Sequence, residues 1–281
     1  MKSNLGRRVS IILLIFLGLS ILLYPAVSDA WNRYRARLLI SDYSGAVQAM
    51  DNDEYEEELA RAQEYNETLI GGVVPDAFAV REGIFDEEYE SLLSVTDDLM
   101  MGHVEIPAID VDLPIYHYTY PDILQKGAGH LFGSSLPVGG ESTHAVITAH
   151  RGLPSAKLFT DLNLLKEGDQ FYLYVYDDIL AYEVDLIQTV EPDETSSLSI
   201  TPGEDYVTLI TCTPYGVNTH RLLVRGHRVP YTELQAKRSV TENLAQRGPR
   251  LIIELLCLLA GVVVAGLLIR VYDRVKRRRD D

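Results

Sequence analysis

Three residues in the C-terminal half of this 281-residue chain have the types and spacing for nucleophilic chemistry. Cys212 ends an apolar run, residues 207–210, and opens the turn Thr213-Pro214-Tyr215-Gly216. Nine residues after the cysteine, His220-Arg221 begins another apolar run, so two antiparallel strands joined by that turn would set Cys212 beside Arg221. A thiol reacts as its thiolate, and a permanently cationic neighbour favours that form. A histidine would complete the set as proton donor and acceptor. Of the seven histidines, His150 closes the apolar run 145–149 and precedes the turn signal Arg151-Gly152. By spacing alone His150 and His220 are near equals. The competing reading is a buried, inert cysteine.

No HExxH, CxxC or clustered His/Cys pattern occurs, so neither a metal centre nor a cofactor is expected. Two cysteines, one of them inside an apolar run, cannot build a disulfide framework. The glutamates at 54, 56, 57 and 58 read as a solvated helix face. The net charge is −16, and residues 30–250 hold 16 Lys and Arg against 36 Asp and Glu. Such a surface repels phosphate backbones, which excludes nucleic acid as a partner.

The elements that position the three residues follow from periodicity. Short β-branched or alternating runs at 103–106, 113–117, 129–132, 144–149, 170–176, 180–190, 206–211 and 222–229 predict eight strands of a barrel or sandwich, mainly β, with short helices at 121–126 and 158–165. Upstream, residues 42–70 read as one Glu-rich helix ended by Gly71-Gly72, and 86–99 as a shorter helix with acids in its first turn.

The ends are apolar. Residues 9–28 carry no charge and follow Lys2, Arg7 and Arg8; at about 1.5 Å per residue they span the roughly 30 Å of a hydrocarbon core. Trp31 and Tyr34 suit an interfacial belt, and a cleaved signal peptide with Ala26 and Ser28 at its end is the alternative. A second apolar run, 251–269, precedes six cations among residues 270–279. The positive-inside rule puts that tail in the cytoplasm, both termini inside and the middle outside. The expected organisation is a cytoplasmic segment 1–8, a span 9–28, a helical region 29–100, a barrel 101–235, a linker 236–250, a second span 251–269 and a basic tail 270–281.

The stretch 208–226, containing Thr211-Cys212-Thr213-Pro214-Tyr215-Gly216 and Thr219-His220-Arg221, resembles the catalytic signature of the sortases in the form typical of class C, the pilus-assembling sortases. Thr148-Ala149-His150-Arg151-Gly152 resembles their histidine motif. The resemblance covers residues 40–230 and implies a closed eight-stranded sortase-type barrel. It implies Cys212 as nucleophile, His150 rather than His220 as general acid and base, and Arg221 as the group that holds substrate and stabilises the oxyanion. It further implies a lid at about 73–84, in which Asp76-Ala77-Phe78 stands where class C members carry Asp-Pro-aromatic; Asp76 would pair with Arg221 and Phe78 would cover Cys212. The missing proline relaxes a φ constraint. The activity implied is that of a membrane-anchored transpeptidase that cleaves an LPxTG-type signal between Thr and Gly and joins pilin subunits through Lys isopeptide bonds. A housekeeping enzyme that passes the acyl group to a peptidoglycan precursor, and a non-enzymatic envelope scaffold, are the alternatives.

Overall fold

The computed structural model describes residues 2–69, 76, 78 and 85–232. It begins with a single long helix, α1 (Lys2–Gln48), that carries the first apolar run and continues without a break through Arg33, Arg35 and Arg37. Among the described residues this is the one helix long and apolar enough to cross a membrane, a test that a signal sequence also passes. The expected second span, 251–269, lies outside the described residues, as do the linker 236–250 and the basic tail.

The single helix expected at 42–70 is two. Asp51 takes an extended conformation, and its side chain accepts the Asp53 amide at 3.3 Å, so it caps a new helix, α2 (Asn52–Thr68), with Asp53 and Glu54 in the first turn. The helix expected at 86–99 is cut to α3 (Glu87–Ser91), capped by Asp86, whose carboxylate accepts from the Tyr89 amide at 2.9 Å. Leu93 and Leu99 both have positive φ, 57° and 62°, which a right-handed helix cannot accommodate.

Eight strands follow: β1 (Met100–Ile106), β2 (Val111–His117), β3 (Ala128–His130), β4 (Thr143–Thr148), β5 (Gln170–Val175), β6 (Asp178–Val190), β7 (Asp205–Thr213) and β8 (His220–Val229). They close into a barrel in the order β1-β2-β3-β4-β7-β8-β6-β5. Two pairs, β2/β3 and β4/β7, are parallel and the rest antiparallel. A short α4 (Pro121–Leu124) follows β2, and the helix expected at 158–165 is only a 3-10 turn, Leu162–Leu164.

Alternation along the strands sends one set of side chains inward, and Ile115, Ile147, Phe171, Leu173, Leu209 and Val224 are almost fully buried. Gly226 gives Phe171 its room, since a Cβ there would stand 2.7 Å from the ring. α1 packs along the barrel wall: the buried Tyr43 hydroxyl donates to the Met101 carbonyl at 3.1 Å and accepts the Tyr176 amide at 2.9 Å.

Candidate active site

The antiparallel ladder between β7 and β8 pairs Cys212 directly with Arg221, and Thr213 with His220. Paired residues share a face and successive ones alternate, so Arg221 lies on the side of Cys212 and His220 on the other. The Arg221 Nη1 is 3.7 Å from the Cys212 Sγ. His220 turns instead to the end of β6, with its Nε2 3.1 Å from Glu191 Oε1.

His150 arrives from the opposite neighbour of β7. Strands β4 and β7 run parallel with Thr148 beside Ile210, and each continues two residues to His150 and Cys212. The join is tied beyond the last paired residues: the Ala149 amide donates to Ile210 O at 3.2 Å, and the buried Thr211 hydroxyl donates to Ala149 O at 2.8 Å. Arg151 then fixes the turn, donating to Thr213 Oγ1 at 2.9 Å, Asn163 Oδ1 at 2.8 Å and Thr160 O at 3.2 Å. Thr211 and Arg151 escape a reading that looks only for reactive groups, although both lie inside the motifs.

Asp76 and Phe78, remote in sequence, complete the cluster. Asp76 takes two parallel bonds from Arg221, Nε to Oδ1 and Nη2 to Oδ2, each 2.9 Å, a fork geometry with both side chains more than four-fifths buried. The Phe78 ring lies 5.0 Å from the Arg221 guanidinium carbon and 5.8 Å from the His150 ring. Phe78 also packs against the small apolar cluster of Leu131, Val146, Leu198, Ile210 and Leu223. Under this cover Cys212 is 8% exposed.

Burial of the covered site runs against thiolate formation, and the nearby charges offset it only in part. Burial pushes the Cys212 thiol up; Arg221 opposes that, and the Asp76 carboxylate reinforces it. Burial also lowers His150, so the pair rests as neutral thiol and neutral imidazole. Arg221, by contrast, is held firmly charged: its bonds to Asp76 and its neighbours outweigh the desolvation that opposes them. Sequence reasoning, which saw only the cationic neighbour, expects the opposite for the cysteine.

Four further histidines are held by contacts within the fold. Buried His130 sits between the Tyr89 hydroxyl at 2.7 Å and Ser135 O at 2.8 Å, and His144 between Ser199 O and the Thr208 hydroxyl. His117 is buried between two main-chain carbonyls, and His103 stacks on Tyr174 beside Asp112. Among the described residues no three His, Cys, Asp or Glu side chains gather as a metal would require.

Comparison with known proteins gives the family. The family profile described as Sortase domain matches residues 104–229. A solved sortase C from Streptococcus pneumoniae, described with its pilin substrate specificity, is 52% identical; the match covers 69% of this chain and 97% of that one, with a TM-score of 0.65. The pilus-related sortase C of Group B Streptococcus is 45% identical over 68% of this chain and 97% of its own, with a TM-score of 0.63. Among curated proteins, Sortase A of Bacillus anthracis is 27% identical over 71% of this chain and 85% of its length. Identity at this level over nearly the whole of a solved sortase C, on the same closed barrel, makes the chain a member of the sortase family of cysteine transpeptidases, on its sortase C side.

Proposed function

We propose that the chain is a pilus-assembling transpeptidase, with Cys212 as nucleophile, His150 as general acid and base, Arg221 as oxyanion and substrate clamp, and Asp76 and Phe78 as a lid. The observation that carries this reading is the direct pairing of Cys212 with Arg221 at the rim where β4 delivers His150. With the lid displaced, Arg221 loses its carboxylate partner and the thiol loses the charge that disfavours its ionisation. The Cys212 thiol passes its proton to His150; the resulting thiolate attacks the threonine carbonyl carbon of an LPxTG-type signal, and Arg221 holds the oxygen that becomes negative. The imidazolium of His150 protonates the glycine nitrogen as its C–N bond breaks, leaving a thioester on Cys212. A lysine ε-amine of a pilin subunit gives its proton to His150 and displaces the sulfur, forming the isopeptide bond and restoring the thiolate. No cofactor takes part.

Pilin as donor and acceptor is supported by the sortase C neighbours, at 44–52% identity, whereas the curated relatives named Sortase A are 25–30% identical. Transfer to a peptidoglycan precursor would use the same thioester and differ only in the amine. In the same reading the barrel lies outside the cell, α1 anchors it, residues 251–269 form a second span, and both termini are cytoplasmic. Mass spectrometry of the protein mixed with a pilin tail peptide tests the proposal: a thioester on Cys212, resolved by pilin lysine in preference to cell-wall peptide amines, is the expected result. A cleaved peptide with Cys212→Ala in place removes the assignment.

A further inference from the structure

The direction in which α1 meets the barrel fixes which end of the barrel faces the membrane. Strands β4 and β7 run toward the end that carries Cys212, and β1 runs the same way because it is antiparallel to β5, β5 to β6, β6 to β8 and β8 to β7. The Cys212 end therefore also holds the β1–β2 connection, with Asp110, and the β4–β5 connection, with Ser155 and Lys157. The opposite end holds the start of β1 and the Tyr176–Asp177 turn.

α1 touches both ends in order. Its first contacts with the barrel are Asp29, which accepts the Lys157 amide at 2.8 Å, Asn32, which donates to Ser155 O at 2.7 Å, and Arg33, 3.4 Å from Asp110. Fourteen residues later Tyr43 binds Met101 and Tyr176 at the far end. At 1.5 Å per residue that is about 21 Å, close to the length of a seven-residue strand. The apolar run of α1 stops at Ser28, one residue before the first contact. On the outer face of the same turn, Trp31 is 60% exposed and its ring lies 5.9 Å from that of Tyr34, the amphipathic pair expected at headgroup depth. Pro25 lies upstream of these contacts, within the apolar run.

The barrel itself gives an independent sign. Outside α1, the large apolar side chains exposed among the described residues are Phe85, Leu164, Tyr215 and Val217. Three of these four, Leu164, Tyr215 and Val217, are on the β4–β5 and β7–β8 connections at the Cys212 end.

We propose that the Cys212 end of the barrel is held against the membrane that α1 crosses, with the β7–β8 turn in the lipid headgroup layer. The inference rests on α1 being a membrane span, and not on the transpeptidase reading. Its partner is the lipid surface, and a substrate must reach Cys212 along that surface rather than from the aqueous side.

Tryptophan quenching in vesicles of dibrominated phosphatidylcholine tests this, using the full chain, in which Trp31 is the sole tryptophan. Trp31 fluorescence should be quenched. In a Trp31→Phe background, Tyr215→Trp and Val217→Trp should each lose fluorescence to a similar degree, and Asp177→Trp at the far end should lose none. Quenching of Trp31 without quenching of Tyr215→Trp and Val217→Trp overturns the orientation while leaving the span in place. Quenching of Asp177→Trp overturns it too, and an unquenched Trp31 removes its premise.

Discussion

Arg221 bridges Asp76 and Cys212: Nε and Nη2 are committed to the Asp76 carboxylate at 2.9 Å, and Nη1, which also donates to His220 O at 3.3 Å and Asn218 O at 3.4 Å, stands 3.7 Å from the Cys212 sulfur. One cation is thus paired with the Asp76 carboxylate while it stands beside the thiol. Burial keeps the thiol high beside this permanently charged arginine, and the Asp76 carboxylate adds to the effect.

Asp76→Ala removes the like charge that raises the Cys212 pKa and frees Arg221 to lower it. Alkylation follows the thiolate fraction, so its pH profile should move to lower pH, with faster labelling at neutral pH. Rates of labelling by a small alkylating reagent across a pH series measure this. An unmoved profile means that Asp76 does not govern the thiol.

Arg221→Lys keeps the positive charge and loses the planar fork. Transpeptidation should fall by roughly 10²-fold or more, mostly in kcat, if the arginine acts on the transition state. Steady-state rates with a sorting-signal peptide decide it; a change confined to KM would make Arg221 a binding group only.

The two candidate histidines separate cleanly. His150→Ala should lower the rate by about 10² to 10⁴. His220→Ala, which removes an exposed contact to Glu191 on the other side of the strand, should stay near the parent rate. The reverse ranking in a single-turnover assay would reassign the base.

Acid should weaken the fold through two buried histidines. Burial lowers His130 to about 3 and His144 to about 4. Below the ordinary value near 6.5 the unfolded chain takes up protons that these two sites refuse, so stability is full above that pH and declines as pH falls toward the folded values. The slope is about 1.4 kcal/mol per pH unit for each histidine. Urea midpoints at pH 7, 6 and 5 should decline steadily, and His144→Gln should remove part of the slope.

The strands were legible because period-2 runs stand between Gly and Pro, and all eight appear within three residues of their expected starts. β1 begins three residues early, at Met100, because Gly102 interrupts the apolar pattern at a bulge. The break between α1 and α2 was hidden, since helical spacing continues across Met50 and only the capping role of Asp51 marks the boundary. Strand order was not legible either: the parallel β4/β7 pairing joins residues 62 apart, and no local pattern records it. The contact of Asp76 with Arg221, 145 residues apart, follows from family likeness alone.

That parallel pairing reaches beyond the site it builds. Because the ladder from Thr143 beside Asp205 to Thr148 beside Ile210 holds the strands that lead to His150 and Cys212 side by side, the intervening stretch acts as a detour that starts and finishes at fixed posts. Relatives could lengthen, shorten or restyle the outer connections of that detour and so alter which peptides gain entry, while His150 and Cys212 stay where they were.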